Sequence, residues 1–206
     1  MLSKNPKSLL IILVCVVFLF LIVYFPNIVT EKNSAYRQLL EFSSKIQMNE
    51  AVYLFNFEMN NKMTGLIVPN IPIFARNNEY GTGFLYDVVS NNPILIYRYG
   101  EIKCTSCFET EFKNFQMEFE GKPTLASILC SYEDEREFRT FIRLNQIKLP
   151  MYRIPQDAFN WEIEQYGNPY YFVLHPDMKI SHIYVPNKDY PELNRQYLEG
   201  VKRFLQ

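Results

Sequence analysis

The chain has 206 residues, 48% apolar and 16% aromatic, which is enough to bury one sizeable core with an appendage and excludes a disordered chain. Lys and Arg number 21 against 22 Asp and Glu, so no basic footprint exists for a phosphate backbone and nucleic acid is not an expected partner. Gly is limited to 7 residues that form no phosphate-cradling motif, so nucleotide binding is unsupported.

The first element is an uncharged run from Ser8 to Thr30, almost wholly apolar between Leu9 and Tyr24. As a helix it is long enough to cross a hydrocarbon layer of about 30 Å. Lys4 and Lys7 precede it and Glu31 and Lys32 follow, a bias that puts the body on the outer side of the membrane. Phe25 to Thr30 offer no small-x-small cleavage pattern, which favours an uncleaved anchor over a signal peptide. Cys15 follows the bulky Val14 rather than a small residue, so it reads as an apolar residue of the anchor and not as a lipid-modified cysteine. The expected organisation is a cytoplasmic N-terminus at 1–7, a transmembrane anchor at 8–28, a stalk at 29–50 and one domain at 51–206. Leu39, Leu40, Phe42 and Ile46 give the stalk a helical spacing.

Ala51 to Asp87 is rich in aromatic and β-branched residues, broken by Pro69, Pro72 and Gly81-Thr82-Gly83, and predicts two or more short strands. Ile94 to Tyr97 predicts a strand covered on both faces. After it, Phe108, Phe112, Phe115 and Phe119 form a helical stripe that leaves Glu109, Glu111 and Lys113 for solvent. Leu125 to Cys130 predicts a second strand, and Ser131 with Asp134 a capping box opening a helix that carries Phe138, Phe141 and Ile142. Tyr170 to Leu174 and Ile180 to Val185 predict a hairpin across Pro176 to Lys179. Pro191, Leu193, Tyr197, Val201 and Phe204 predict a last helix. Helices between strands imply parallel crossovers and the hairpin adds antiparallel pairing, so the fold class is α/β, with helices around a central mixed sheet.

Cys104 and Cys107 stand two residues apart at the start of the Phe-striped helix. A helix N-terminus favours a thiolate, and Lys103 adds a cation beside it. Cys104 is therefore the expected attacking thiolate and Cys107 the resolving thiol of a dithiol-disulfide exchange. Strand, Cys104-x-x-Cys107, helix, and then Gly167-Asn168-Pro169 leading into Tyr170 to Leu174 resemble the thioredoxin-like superfamily over about Ala51 to Gln206. The similarity is to membrane-anchored periplasmic thiol-disulfide oxidoreductases of the TlpA-like kind.

The resemblance implies a thioredoxin-like fold behind the N-terminal transmembrane helix. It also implies a cis peptide at Pro169 and substrate docking at Asn168, Pro169 and Tyr170. It implies no cofactor and no metal. Implied partners are protein thiols or disulfides outside the cytoplasm and a membrane or periplasmic electron-relay protein. The implied location is the bacterial cytoplasmic (inner) membrane, single-pass, with the C-terminal domain in the periplasm. Arg98 stands six residues before Cys104, where many thioredoxins resemble one another in having a buried proton-shuttling acid. The shuttle is therefore missing or moved, and Glu101 is either the nearest carboxylate to replace it or a solvated loop residue. Lys103 occupies a position usually aromatic, and Thr105-Ser106 lacks a proline, so the direction of electron flow stays open. Two alternatives also stay open: a redox-inert binding module whose cysteines form a structural disulfide, and a copper-delivery or zinc protein drawing on Cys130, His175 or His182.

Overall fold

The computed structural model describes residues 6–75, 82–89, 91–100, 105–132 and 134–206, with side chains over the same residues except 6–12, 15–16, 21–35, 82 and 105–109. The chain divides into two compact units, Met1–Ala51 and Val52–Gln206. The first helix, α1, is Pro6–Met63 and runs through residues 28 and 50 without interruption. In the first unit Leu13, Val14, Val17, Phe18, Leu19 and Phe20 are exposed. Among the described residues no helix is long and apolar enough to cross a membrane, so the span expected over 8–28 is not found there.

The second unit opens with helix where strands were expected. Residues 52–63 complete α1, because Asn56, Met59 and Met63 recur at three and four residues and are buried while their neighbours face out. The strands of this region are only β1 (Pro72–Ala75) and β2 (Thr82–Phe84), followed by a single turn of helix, α2 (Leu85–Val89). Then come β3 (Ile94–Tyr99), α3 (Thr105–Glu118), β4 (Ala126–Cys130), α4 (Glu135–Leu144), β5 (Met151–Arg153), α5 (Glu162–Gln165), β6 (Tyr170–Leu174), β7 (Ile180–Tyr184) and α6 (Pro191–Leu205). The helix cap before α4 is Asp134 alone, whose carboxylate accepts from the Arg136 N–H at 2.6 Å. Ser131, expected to share that cap, is buried and donates to the Pro155 carbonyl instead.

The sheet order is β2-β1-β5-β4-β3-β6-β7, with β3, β4 and β5 parallel and the remaining pairs antiparallel. Strand periodicity splits β3 between two layers. Ile94 and Ile96 pack with Leu129, Phe172, Met59 and Met63 on one face. Leu95, Tyr97 and Tyr99 pack with Phe112, Phe115, Phe119, Phe138 and Leu198 on the other. The strand buried on both faces is the one that delivers the chain to the cysteine pair.

Candidate functional site

At its C-terminal end β3 passes through Gly100 to a segment, 101–104, that lies outside the described residues and includes Glu101, Lys103 and Cys104. Cys107 is the third residue of α3, and its side chain also lies outside the described set. α3 is 14 residues long and has no acidic residue in its first turn. The N–H groups of a helix's first turn have no partner within the helix, and its aligned peptide dipoles give that end a partial positive charge. Phe112, Phe115 and Phe119 are fully buried and anchor the helix, Phe115 lying 5.3 Å from the Tyr97 ring and 5.5 Å from that of Tyr171.

The partner strand β6 pairs antiparallel with β3 in a register that sets Tyr170 opposite Arg98. Asn168 is exposed and Pro169 half-buried just before β6, at the same end of the sheet at which β3 finishes. The cis peptide expected at Pro169 is absent: no described peptide bond is cis. The chain reverses instead at Gly167, whose φ of +67° ends α5 in the left-handed region, so a trans bond suffices to enter β6. The Tyr170 ring is buried, so the side chain expected to dock substrate belongs to the core.

Arg98, at the position where the resemblance implies an acid, is 1% exposed. Its Nε donates to Glu164 Oε1 at 2.8 Å and its Nη2 to Glu164 Oε2 at 3.0 Å, while Nη1 donates to the Tyr99 carbonyl. The Tyr170 hydroxyl donates to Glu164 Oε1 at 2.6 Å. A two-pronged pair of this kind fixes orientation as well as charge, and it ties α5 and the loop before β6 to the end of β3. The sequence carried a sign of it, since an arginine inside a run as apolar as ILIYRY needs a carboxylate from elsewhere.

Glu111, read from the helical stripe as solvent-facing, is buried at 7% exposure. Tyr171 Oη donates to its Oε1 at 2.8 Å and Asn194 Nδ2 to its Oε2 at 2.9 Å. Asn194 is held in turn by the Tyr184 hydroxyl at 2.8 Å and the Asn187 N–H at 3.1 Å. Burial pushes the Glu111 carboxyl above its usual range, and the two hydrogen bonds only partly offset that. The partners come from β6 and α6, more than fifty residues away in sequence, and no local pattern reveals them. Cys130 closes β4 fully buried, its thiol pushed up to about 12 by desolvation, which leaves it inert at neutral pH.

No protein-family model and no curated protein matches the sequence. Solved structures do match. A thiol:disulfide interchange protein from Bacteroides sp. superposes with a TM-score of 0.52 at 15% identity, over 69% of this chain and 90% of that one. The thioredoxin domain of a thiol-disulfide oxidoreductase from Bacteroides vulgatus gives 0.50 at 15%, over 69% and 98%. PrxQ from Xylella fastidiosa gives 0.51 at 16%, over 69% and 97%. The chain has a thioredoxin-like α/β fold with a mixed central sheet, and its structural neighbours include thiol-disulfide oxidoreductases.

Proposed function

We propose that this chain is a membrane-anchored thiol-disulfide oxidoreductase that exchanges disulfides with proteins outside the cytoplasm through Cys104 and Cys107. The observation that carries the reading is positional: Cys-Thr-Ser-Cys spans the start of α3, directly after the doubly covered strand of a thioredoxin-like sheet. In the exchange, the Cys104 thiolate attacks a substrate disulfide, forming a mixed disulfide and releasing one substrate thiolate. Cys107 as thiolate then attacks the Cys104 sulfur, closing the Cys104–Cys107 disulfide and releasing the second substrate thiolate with the electron pair. Run backwards, the same steps oxidise a substrate dithiol. Asn168 and Pro169 supply the exposed edge for the partner chain, and no cofactor enters.

Anchoring rests on the uncharged Ser8 to Thr30 run within α1, the preceding Lys4 and Lys7, and the exposure of every described apolar side chain from Leu13 to Phe20. The location that follows is the bacterial cytoplasmic membrane with the second unit in the periplasm, facing secreted proteins and an electron-relay partner. The test is a glutathione redox titration of the full chain in detergent micelles. A reversible dithiol couple between about -120 and -270 mV supports catalysis, whereas a bridge below about -300 mV makes it structural. Stoichiometric copper or zinc retention lost in Cys104→Ser would replace the reading with metal delivery. Cys107→Ser should trap covalent partners through Cys104, and membranes that yield no such adducts count against exchange.

A further inference from the structure

Both histidines of the chain belong to the β6–β7 hairpin, His175 just after β6 and His182 inside β7. Val173 pairs with Ser181, but the register slips before Tyr171 meets Tyr184, so Phe172 alone stands opposite His182 and Ile183. At this bulge His182 has a φ of +53°, in the left-handed region that few residues other than glycine adopt. Regular alternation would send Ser181 and His182 to opposite faces. Here the His182 ring turns back onto its neighbour, with Nδ1 2.7 Å from Ser181 Oγ. His175, two residues after Val173, shares the face of Ser181, and its Nε2 also lies 2.7 Å from that oxygen. The Phe204 ring of α6 packs on both imidazoles, 4.5 Å from His182 and 6.3 Å from His175, and the Tyr197 hydroxyl donates to the His182 carbonyl at 2.5 Å.

Two half-buried imidazoles thus converge on one hydroxyl. That hydroxyl carries a single proton, so it donates to one ring and accepts from the N–H of the other. Moving the second ring's proton to its far nitrogen aims both lone pairs into one volume. We propose that His175 and His182 bind a divalent transition-metal ion that prefers imidazole, Zn2+ and more tightly Cu2+. Burial, and then the His175 ring beside it, hold the His182 imidazole below its ordinary value and so keep it unprotonated at neutral pH, the form that ligates. Backbone strain such as that at His182 persists where the surroundings hold it and collects at ligand sites. No third histidine, cysteine, aspartate or glutamate joins the two among the described residues, and Asp177 is taken up by Lys179 at 2.8 Å. The remaining positions fall to Ser181 Oγ and water, which makes the site an open one. It is separate from the cysteine pair. Ile94 stands opposite Leu174, so His175 lies at the end where β3 begins, roughly 16 Å of strand from the exit toward the cysteines. Cys130 stands opposite Tyr99, at that exit, and does not reach the histidines.

The experiment is equilibrium dialysis of the untagged full chain in detergent micelles against Zn2+ and against Cu2+, with Cys15→Ser, Cys104→Ser and Cys107→Ser as background so that these thiols do not compete. The chain should retain one ion, Cu2+ more tightly than Zn2+. Electron paramagnetic resonance of the copper form should show coupling to two imidazole nitrogens, which only His175 and His182 can supply. His175→Ala and His182→Asn should each weaken retention at least about tenfold, since losing even a group that merely orients a ligand costs roughly 10–100-fold. Asn at 182 tolerates the left-handed backbone, so the bulge survives the change. If a variant does not fold, the copper spectrum of the chain with both histidines decides the matter. No ion retained, retention unchanged in the two variants, or copper coupled to fewer than two imidazole nitrogens overturns the site. Because the cysteines are replaced, the result stands apart from whether the chain exchanges disulfides.

Discussion

Arg98 and Glu111 are the buried charged side chains of the described core, and the core accommodates them in opposite ways. Arg98 is matched charge for charge by Glu164, so removing one member strands the other. Glu164→Gln should cost about 3 kcal/mol in urea denaturation, while Arg98→Met combined with Glu164→Gln should recover most of it, because buried pairs replaced whole are often near neutral. A double variant as unstable as the single one refutes that account. Glu111 has no such match, and its effect is on pH dependence. Its folded carboxyl titrates above the ordinary 4.5, so as pH rises from there the unfolded chain ionises first and folded stability falls until the raised value is passed. Glu111→Gln removes this slope. The variant's stability relative to wild type should rise across that window in denaturation curves taken from pH 4 to pH 8, and parallel curves would show the carboxyl to be unperturbed.

At the scale of elements, the end of α1 does more than pack. β7 closes one edge of the sheet, and Asn56 meets the residue that follows it twice, accepting from the Val185 N–H at 2.6 Å and donating to the Val185 carbonyl at 3.3 Å. Asn60 accepts from the Ile183 N–H at 3.0 Å. A helix that supplies the missing partners of an edge strand blocks its pairing with another chain. Asn56→Ala should therefore cost about 1–3 kcal/mol by leaving buried backbone groups unmet, and a loss below 0.5 kcal/mol by thermal or urea melting would mean that water replaces the amide at no cost. This helix end was the main misreading of the sequence, since Tyr53, Phe55 and Phe57 carry the composition of a strand while the buried stripe is built from Asn56, Met59 and Met63. β3, α3, β4, β6, β7 and α6 were legible because their apolar period is strong over five residues or more. β5, α2 and α5 are too short to show a period, and α5 owes its place to Ile163 in the core and Glu164 on Arg98. The cysteine pair was legible as a motif. The placing of Glu111 and Glu164 was not, because it depends on partners from distant strands and helices.

For the whole molecule, a redox domain outside the cytoplasm and an apolar helix are complementary expectations, because thiol exchange with secreted proteins requires both an oxidising compartment and a means of staying there. The charge placement makes the anchoring testable. With Lys4 and Lys7 the only cations before the apolar run, the bias toward an inside N-terminus is modest, and retention depends on the apolar side chains themselves. Arg at a helix centre costs roughly 2.5–3.5 kcal/mol on insertion scales, so Val14→Arg with Phe18→Arg imposes about twice that on a single-pass segment. The full chain should stay with membranes through alkaline carbonate extraction, and the double variant should move largely to the soluble fraction while keeping its thiol chemistry. A wild-type chain found mainly in the supernatant would remove the anchor from the proposal and leave the thiol chemistry to stand alone.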